Sequence, residues 1–224
     1  GLRVVFVRRS TAPIFTGQVW VKVGGVNEVP GKTGASHMLE HMAFKGTTIL
    51  GTKDYLKEQP LLDRFEQLTL ALDSIQTAGD SIQLAGNSSA LEDIKTLKAE
   101  LAEVQQRLKE LWIDNEFSSI YQRAGSSGLN AATSKDYTFY TVQLPVSAFE
   151  LWCSMESDRI LHPVFRQFYK ERDVVLEERR MRVEDNPGGM LYEHILATSY
   201  LNHPNRLPVI GWYSDVRGLR TADV

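Results

Sequence analysis

The chain has 224 residues, 42% of them hydrophobic and 24% charged, the balance of an ordinary globular protein long enough to bury a core. Its net charge of −3 comes without any basic block, which sets aside nucleic acid and anionic membrane surfaces as partners. No apolar run approaches the roughly 20 residues that span a bilayer, and Cys153, the single cysteine, excludes an intrachain disulfide.

The chain begins directly in a strand pattern. Leu2 to Arg9 and Thr16 to Val23 both alternate in hydropathy and are predicted as strands, joined by a turn at Ser10-Thr11-Ala12-Pro13. A Gly-rich loop, Gly24 to Gly31, leads into a short predicted helix, Thr33 to Ala43. From Lys53 to about Phe117 the composition shifts to Leu, Ala, Glu, Gln and Lys. Leu61, Phe65, Leu68, Leu72 and Ile75 recur with helical spacing, as do Leu91, Ile94, Leu97, Leu101, Val104, Leu108 and Leu111. Breaks are expected at Gly79-Asp80 and Gly86-Asn87-Ser88, with Ser89 and Glu92 as a capping box for the second run. The pattern predicts an antiparallel helical hairpin with a coiled-coil-like seam over about residues 57–118, a spacer or packing arm in the plainer reading and a docking arm in the sharper one.

Leu129 to Thr133 and Tyr137 to Leu144 are predicted strands around Ser134-Lys135-Asp136. Three helices follow, Ser147 to Ile160, Phe165 to Val183 and Met190 to Leu201, the last two separated by Asn186-Pro187-Gly188-Gly189. Cys153, inside an apolar stretch with Leu151 and Trp152, reads as a small core residue. Mixed strands and helices make the fold class α+β. The absence of an initiator Met and the helix-like opening at Leu219 to Val224 lead us to expect a piece of a longer protein.

Chemistry concentrates in His37-Met38-Leu39-Glu40-His41. Two histidines at i and i+4 share a helix face and can bind one metal ion. Glu40, at i+3 from His37, shares that face and can serve as general base toward a water at the metal. Imidazoles with a carboxylate favour zinc over calcium or magnesium. The competing reading is a surface helix with a His–Glu pair.

The flanking residues bear on that choice. Val23-Gly24-Gly25-Val26-Asn27-Glu28, Thr33 to Thr47, Gly128-Leu129-Asn130-Ala131-Ala132-Thr133-Ser134 and Glu171 to Glu178 together resemble the inverzincins, the pitrilysin, insulinase and mitochondrial processing peptidase group, family M16. The resemblance covers everything except the helical hairpin. It implies the N-terminal part of an M16 catalytic domain, with a mixed or antiparallel sheet packed by helices. It also implies a zinc endopeptidase of unfolded peptides, with His37 and His41 as ligands and Glu40 as catalytic base.

The family's third ligand ends an ExxxxxxE pair. Here that makes Glu178 a ligand and Glu171 the residue orienting one, with Glu177 the competing choice for ligand. Glu178 follows His41 by 137 residues, where the family pattern has roughly 75 to 80; removing a hairpin of about 60 residues restores the spacing, so the hairpin reads as an insertion. Asn130, Ala131, Ala132 and Thr133 would form the edge strand to which substrate adds. The resemblance further implies a second M16 half, in the same chain or a partner subunit, and little activity from this chain alone. The alternative is a non-catalytic M16-like binding or processing subunit with the hairpin as its docking arm. The insertion resembles bacterial members, which points to the periplasm or another exported location, with the cytoplasm as the alternative.

Overall fold

The computed structural model describes residues 1–8, 11–81 and 88–224, and among these the side chains outside 76–90. The chain divides into two compact units, one of Gly1–Thr47 with Asn115–Val224, the other Thr48–Asp114.

The first unit is built on three antiparallel strands, β1 (Ile14–Val21), β2 (Ser127–Thr133) and β3 (Thr138–Pro145), in the order β1-β3-β2. β3 is central because both neighbours use it. Its β-branched and aromatic residues suit that place, and their alternation buries Thr138, Tyr140, Val142 and Leu144 on one face. On the other face Phe139 stacks on Trp20 with ring centroids 4.9 Å apart. The Ser134 N–H donates to the Tyr137 carbonyl and closes the β2–β3 hairpin. β2 pairs with β3 alone among the described residues, which leaves it an edge strand, with an irregularity between Ser127 and Asn130.

Eight helices accompany the strands among the described residues. Those of the first unit are α1 (Ala35–Met42), α4 (Glu116–Arg123), α5 (Phe149–Leu161), α6 (Phe168–Arg179), α7 (Pro187–Ser199) and α8 (Tyr213–Gly218). Met38 and Met42 turn from α1 into a core with Phe168 and Val175 of α6 and with Val216 and Leu219 at the end of α8. The α+β class is thus as the sequence predicted.

Three local expectations fail here. Residues 2–8 form no strand: Leu2, Val4, Val5, Phe6 and Val7 are exposed and pair with nothing among the described residues. Alternation specifies a face but not a neighbour, and a strand needs another backbone to take its hydrogen bonds. Arg9 and the Ser10 end of the expected turn lie outside the described residues. Cys153 is exposed rather than buried, because α5 turns Met155, Glu156 and Arg159 inward instead. The helix expected over Phe165 to Val183 starts at Phe168 and passes at Arg180–Glu184 into a π-helical turn.

The second unit is a helical hairpin, α2 (Tyr55–Ser81) and α3 (Ser88–Leu111). Leu68, Val104 and Leu108 are its buried centre, flanked by Leu61, Phe65, Leu97 and Leu101, so the predicted seam is the one that packs. At its base the Trp112 indole donates to the fully buried Glu58 carboxylate at 2.8 Å. α2 runs through Gly79-Asp80, which does not break it, because one glycine in a long helix costs only about 1 kcal/mol. α3 begins at Ser88, which places Ser89 inside the helix; its proposed cap and the break at Gly86-Asn87 lie outside the described residues and side chains.

Candidate metal centre and active site

The site begins with how α1 is anchored. Gly34 precedes the helix with φ +89°, and a Cβ there would stand 2.8 Å from the Ile210 carbonyl and 2.9 Å from Val216. Only glycine meets both demands. Backbone N–H groups at the start of the helix, which lack an intrahelical partner, are taken by a side chain of the preceding loop: Glu28 accepts from Gly34 and Ser36, each at 2.7 Å. Asp215 holds the preceding loop, accepting from the N–H groups of Gly31 and Thr33 and, at 2.7 Å, from the Thr33 hydroxyl. Burial, the largest influence on Glu28, raises its pKa against these bonds.

From this fixed helix His37 and His41 point the same way, with ring centroids 4.8 Å apart. α6 meets them with a single stripe. Glu171, Val175 and Glu178 fall at i, i+4 and i+7; Val175 is fully buried in the core, and the carboxylates on either side reach the histidines. Glu178 Oε2 lies 3.7 Å from His37 Nε2 and 3.4 Å from His41 Nε2. The donor atoms of His37, His41 and Glu178 all lie within 4.8 Å of one another. Glu178 Oε1 accepts from Arg182 at 2.8 Å. Glu177, the competing choice, turns away to an exposed ion pair with Arg180.

The other nitrogen of His41, Nδ1, lies 3.5 Å from Glu171 Oε2, and Lys45 holds Glu171 Oε1 at 2.5 Å. Glu40 sits one turn along. Its Oε2 accepts from the Thr133 hydroxyl at 2.5 Å, which ties α1 to the end of β2. A cleft of about 300 Å³ opens between them, lined by Glu40, His41, Lys45, Asn130, Ala131 and Glu171 among others. Thus Asn130 and Ala131 flank the cleft and Thr133 touches Glu40.

Charge follows geometry. Burial pushes the His37 pKa down and keeps it neutral, opposed by Glu178. Burial acts the same way on His41, but its bonds to Glu171 and Glu178 prevail and raise it to about 9. The bond from His41 draws Glu178 below the usual carboxylate range against its burial. For Glu171, burial is outweighed by His41 and Lys45, with the same result. Glu40 goes the other way: burial raises it, against the Thr133 bond and the charge of His41.

The model of the insulinase family, peptidase family M16, matches residues 3–82 and 112–211, leaving unmatched the span between them, most of which is α3. The chain belongs to this family. It is 27% identical over 227 residues to the zinc protease PqqE of Helicobacter pylori, covering 100% of this chain and 37% of that relative. It is 23% identical over 213 residues to the uncharacterized zinc protease YmxG of Bacillus subtilis, covering 94% of this chain and 36% of that one. The chain thus spans about a third of the length of the curated relatives it matches. A crystal structure of a protease from Helicobacter pylori superposes with a TM-score of 0.64 at 26% identity, covering 95% of this chain and 37% of that one. A peptidase M16 inactive domain from Pseudomonas fluorescens gives 0.61 at 10% identity with the same coverage, a likeness of fold alone.

Some of what the structure joins had no signal in the sequence. Asp215 is 182 residues from Thr33, and Glu28, although inside a segment that carries the family resemblance, gave no sign that it holds the start of α1. Lys45 follows His41 by four positions, just past the end of α1, and Arg182 follows Glu178 by four on the π-helical turn after α6, a spacing that could have marked them.

Proposed function

We propose that this chain carries the metal-binding part of a zinc endopeptidase, with His37, His41 and Glu178 as ligands and Glu40 as general base. The observation that carries the reading is the convergence of two imidazole Nε2 atoms on one oxygen of Glu178, beside a cleft that Glu40 also lines. Two imidazoles and a carboxylate are a donor set that suits zinc, and three protein ligands leave one position open, as catalytic zinc sites do. Zinc bound there would polarise a peptide carbonyl and bring the pKa of a water to about 7.

The rest falls to the chain's own residues. Glu171 accepts a hydrogen bond from the Nδ1–H of His41, which leaves Nε2 as the ligating nitrogen. Thr133 holds Oε2 of Glu40, so Oε1 is the oxygen that takes a proton from the attacking water and returns it to the leaving amine. Burial lifts Glu40 toward the pH at which a base is most effective. A peptide adding to the free edge of β2 at Asn130 to Thr133 would be held through main-chain hydrogen bonds, which read extended shape more than side chains. This favours unfolded peptides as substrates. A second M16 half would complete the site, and we expect residues 1–224 alone to turn over little peptide.

The test uses the full-length protein and its Glu40→Gln variant. Both should bind one zinc per chain, and only the wild type should cleave peptides. A wild type that binds zinc and cleaves nothing would point instead to a non-catalytic subunit, with the hairpin as its docking arm.

A further inference from the structure

We propose that Thr133 is a positioning residue for Glu40, so that the strand receiving the substrate also sets the general base. This rests on the peptidase reading of the site and deepens it.

The Thr133 hydroxyl donates to Glu40 Oε2 at 2.5 Å, and both groups are part-buried. A hydroxyl has one proton, so the bond commits that proton to the carboxylate. The oxygen is placed by the sheet rather than by its own rotamer alone. Thr133 pairs in register with Thr138 of β3. The buried Thr138 hydroxyl stands 3.4 Å from the Thr133 oxygen and 3.0 Å from the Val23 carbonyl. Glu40 needs such a tether. Its neighbours His37 and His41 are held by Glu178 and Glu171 from α6, whereas the carboxylate of Glu40 is held from β2.

The consequence concerns register. Thr133 is the last residue of the edge strand on which a peptide would lie, and Asn130 and Ala131 of that strand line the same cleft as Glu40. One residue then ties the height of the base to the height of the strand. A scissile bond placed by pairing along β2 meets Oε1 of Glu40 at a fixed distance. Loss of the hydroxyl frees the carboxylate to rotate without removing the strand, so its effect should fall on the chemical step. A misplacement of about 1 Å in such a group can cost ~100-fold in rate.

The experiment compares full-length wild type, Thr133→Val, Thr133→Ser and Glu40→Gln for kcat, KM, zinc content and melting temperature, and adds crystal structures of the two Thr133 variants. We expect kcat of Thr133→Val to fall between about 10-fold and 100-fold. KM should stay within about 2-fold and zinc content should be unchanged, while Thr133→Ser recovers kcat to within about 3-fold. An unchanged kcat in Thr133→Val overturns the proposal. So does a serine variant as slow as valine, which would make the role one of packing, or a change confined to KM, which would make it one of substrate binding. Should the wild type cleave no peptide, the peptidase reading fails, and the crystal structures decide the positioning role separately. A Glu40 carboxylate displaced in Thr133→Val and in place in Thr133→Ser upholds it, and one unmoved in both refutes it.

Discussion

His41 and Glu171 are joined through the nitrogen that a metal would not use: Nδ1 lies 3.5 Å from Glu171 Oε2. Lys45 neutralises the other oxygen of the same carboxylate. The order Lys45–Glu171–His41 fixes the tautomer of the imidazole and strengthens Nε2 as a donor. Glu171→Gln should therefore weaken zinc binding about 10-fold to 100-fold while leaving one site per chain. Competition against a chromophoric chelator measures this, and an affinity equal to wild type would remove Glu171 from the site's design.

The two carboxylates at the end of α6 should separate cleanly. Glu178 meets both imidazoles, whereas Glu177 is paired with Arg180 in solvent. Glu178→Ala should abolish stoichiometric zinc, and Glu177→Ala should keep it. Arg182 engages Oε1 of Glu178 and leaves Oε2 toward the histidines. Arg182→Gln is expected to lower zinc affinity by less than Glu178→Ala does, because Arg182 is largely exposed and its loss leaves the carboxylate that meets both histidines in place. Metal analysis after dialysis, run on the three variants in parallel, gives the ranking.

Protons compete with zinc for His41. With its pKa raised to about 9 in the metal-free site, His41 is charged at neutral pH and must lose that proton to bind. Apparent zinc affinity should rise about tenfold per pH unit from pH 7 toward 9 and flatten above it. His37, kept neutral by burial, should add no step in that range. The metal-free fold has the opposite dependence. A raised folded-state pKa stabilises at low pH, fully so below the ordinary histidine value, and that contribution disappears as pH rises through about 9. Calorimetric titration in buffers of different ionisation enthalpy reads the proton released, and a pH-independent affinity would contradict the assignment.

How far the sequence disclosed this arrangement depended on the distance over which each feature is encoded. His37, Glu40 and His41 lie within one turn and a half of helix. Glu171 and Glu178 lie within two, and the family resemblance picked them out before the structure set them on one stripe of α6. The seam of the hairpin is legible from its helical periodicity. The strand at residues 2–8 was misread because pairing depends on a neighbour that no local pattern names. Cys153 was misread because its apolar neighbours occupy other faces of α5. The clamp of Asp215 on Thr33 joins residues 182 apart and involves two ordinary polar side chains, with nothing in either segment to announce it.

The anchoring of α1 yields the last prediction. Gly34 has φ +89°, and an added Cβ would press on the Ile210 carbonyl and Val216. Gly34→Ala therefore combines left-handed strain of about 1–2 kcal/mol with a backbone clash. The helix start must shift, and with it the bonds from Gly34 and Ser36 to Glu28. We expect a loss of at least about 2 kcal/mol in stability. Zinc affinity should weaken as well, because His37 lies in the displaced turn, three residues from Gly34, and has to meet Glu178 on a different helix. Asp215→Ala tests the same anchor from the other side. It removes the acceptor of three bonds from the Gly31–Thr33 loop without straining the backbone, so it should destabilise by about 1–3 kcal/mol and disturb zinc less than Gly34→Ala. Denaturant titration of both variants with and without zinc separates the effects. If the two lose zinc affinity equally, or if neither does, helix placement is not what Gly34 secures.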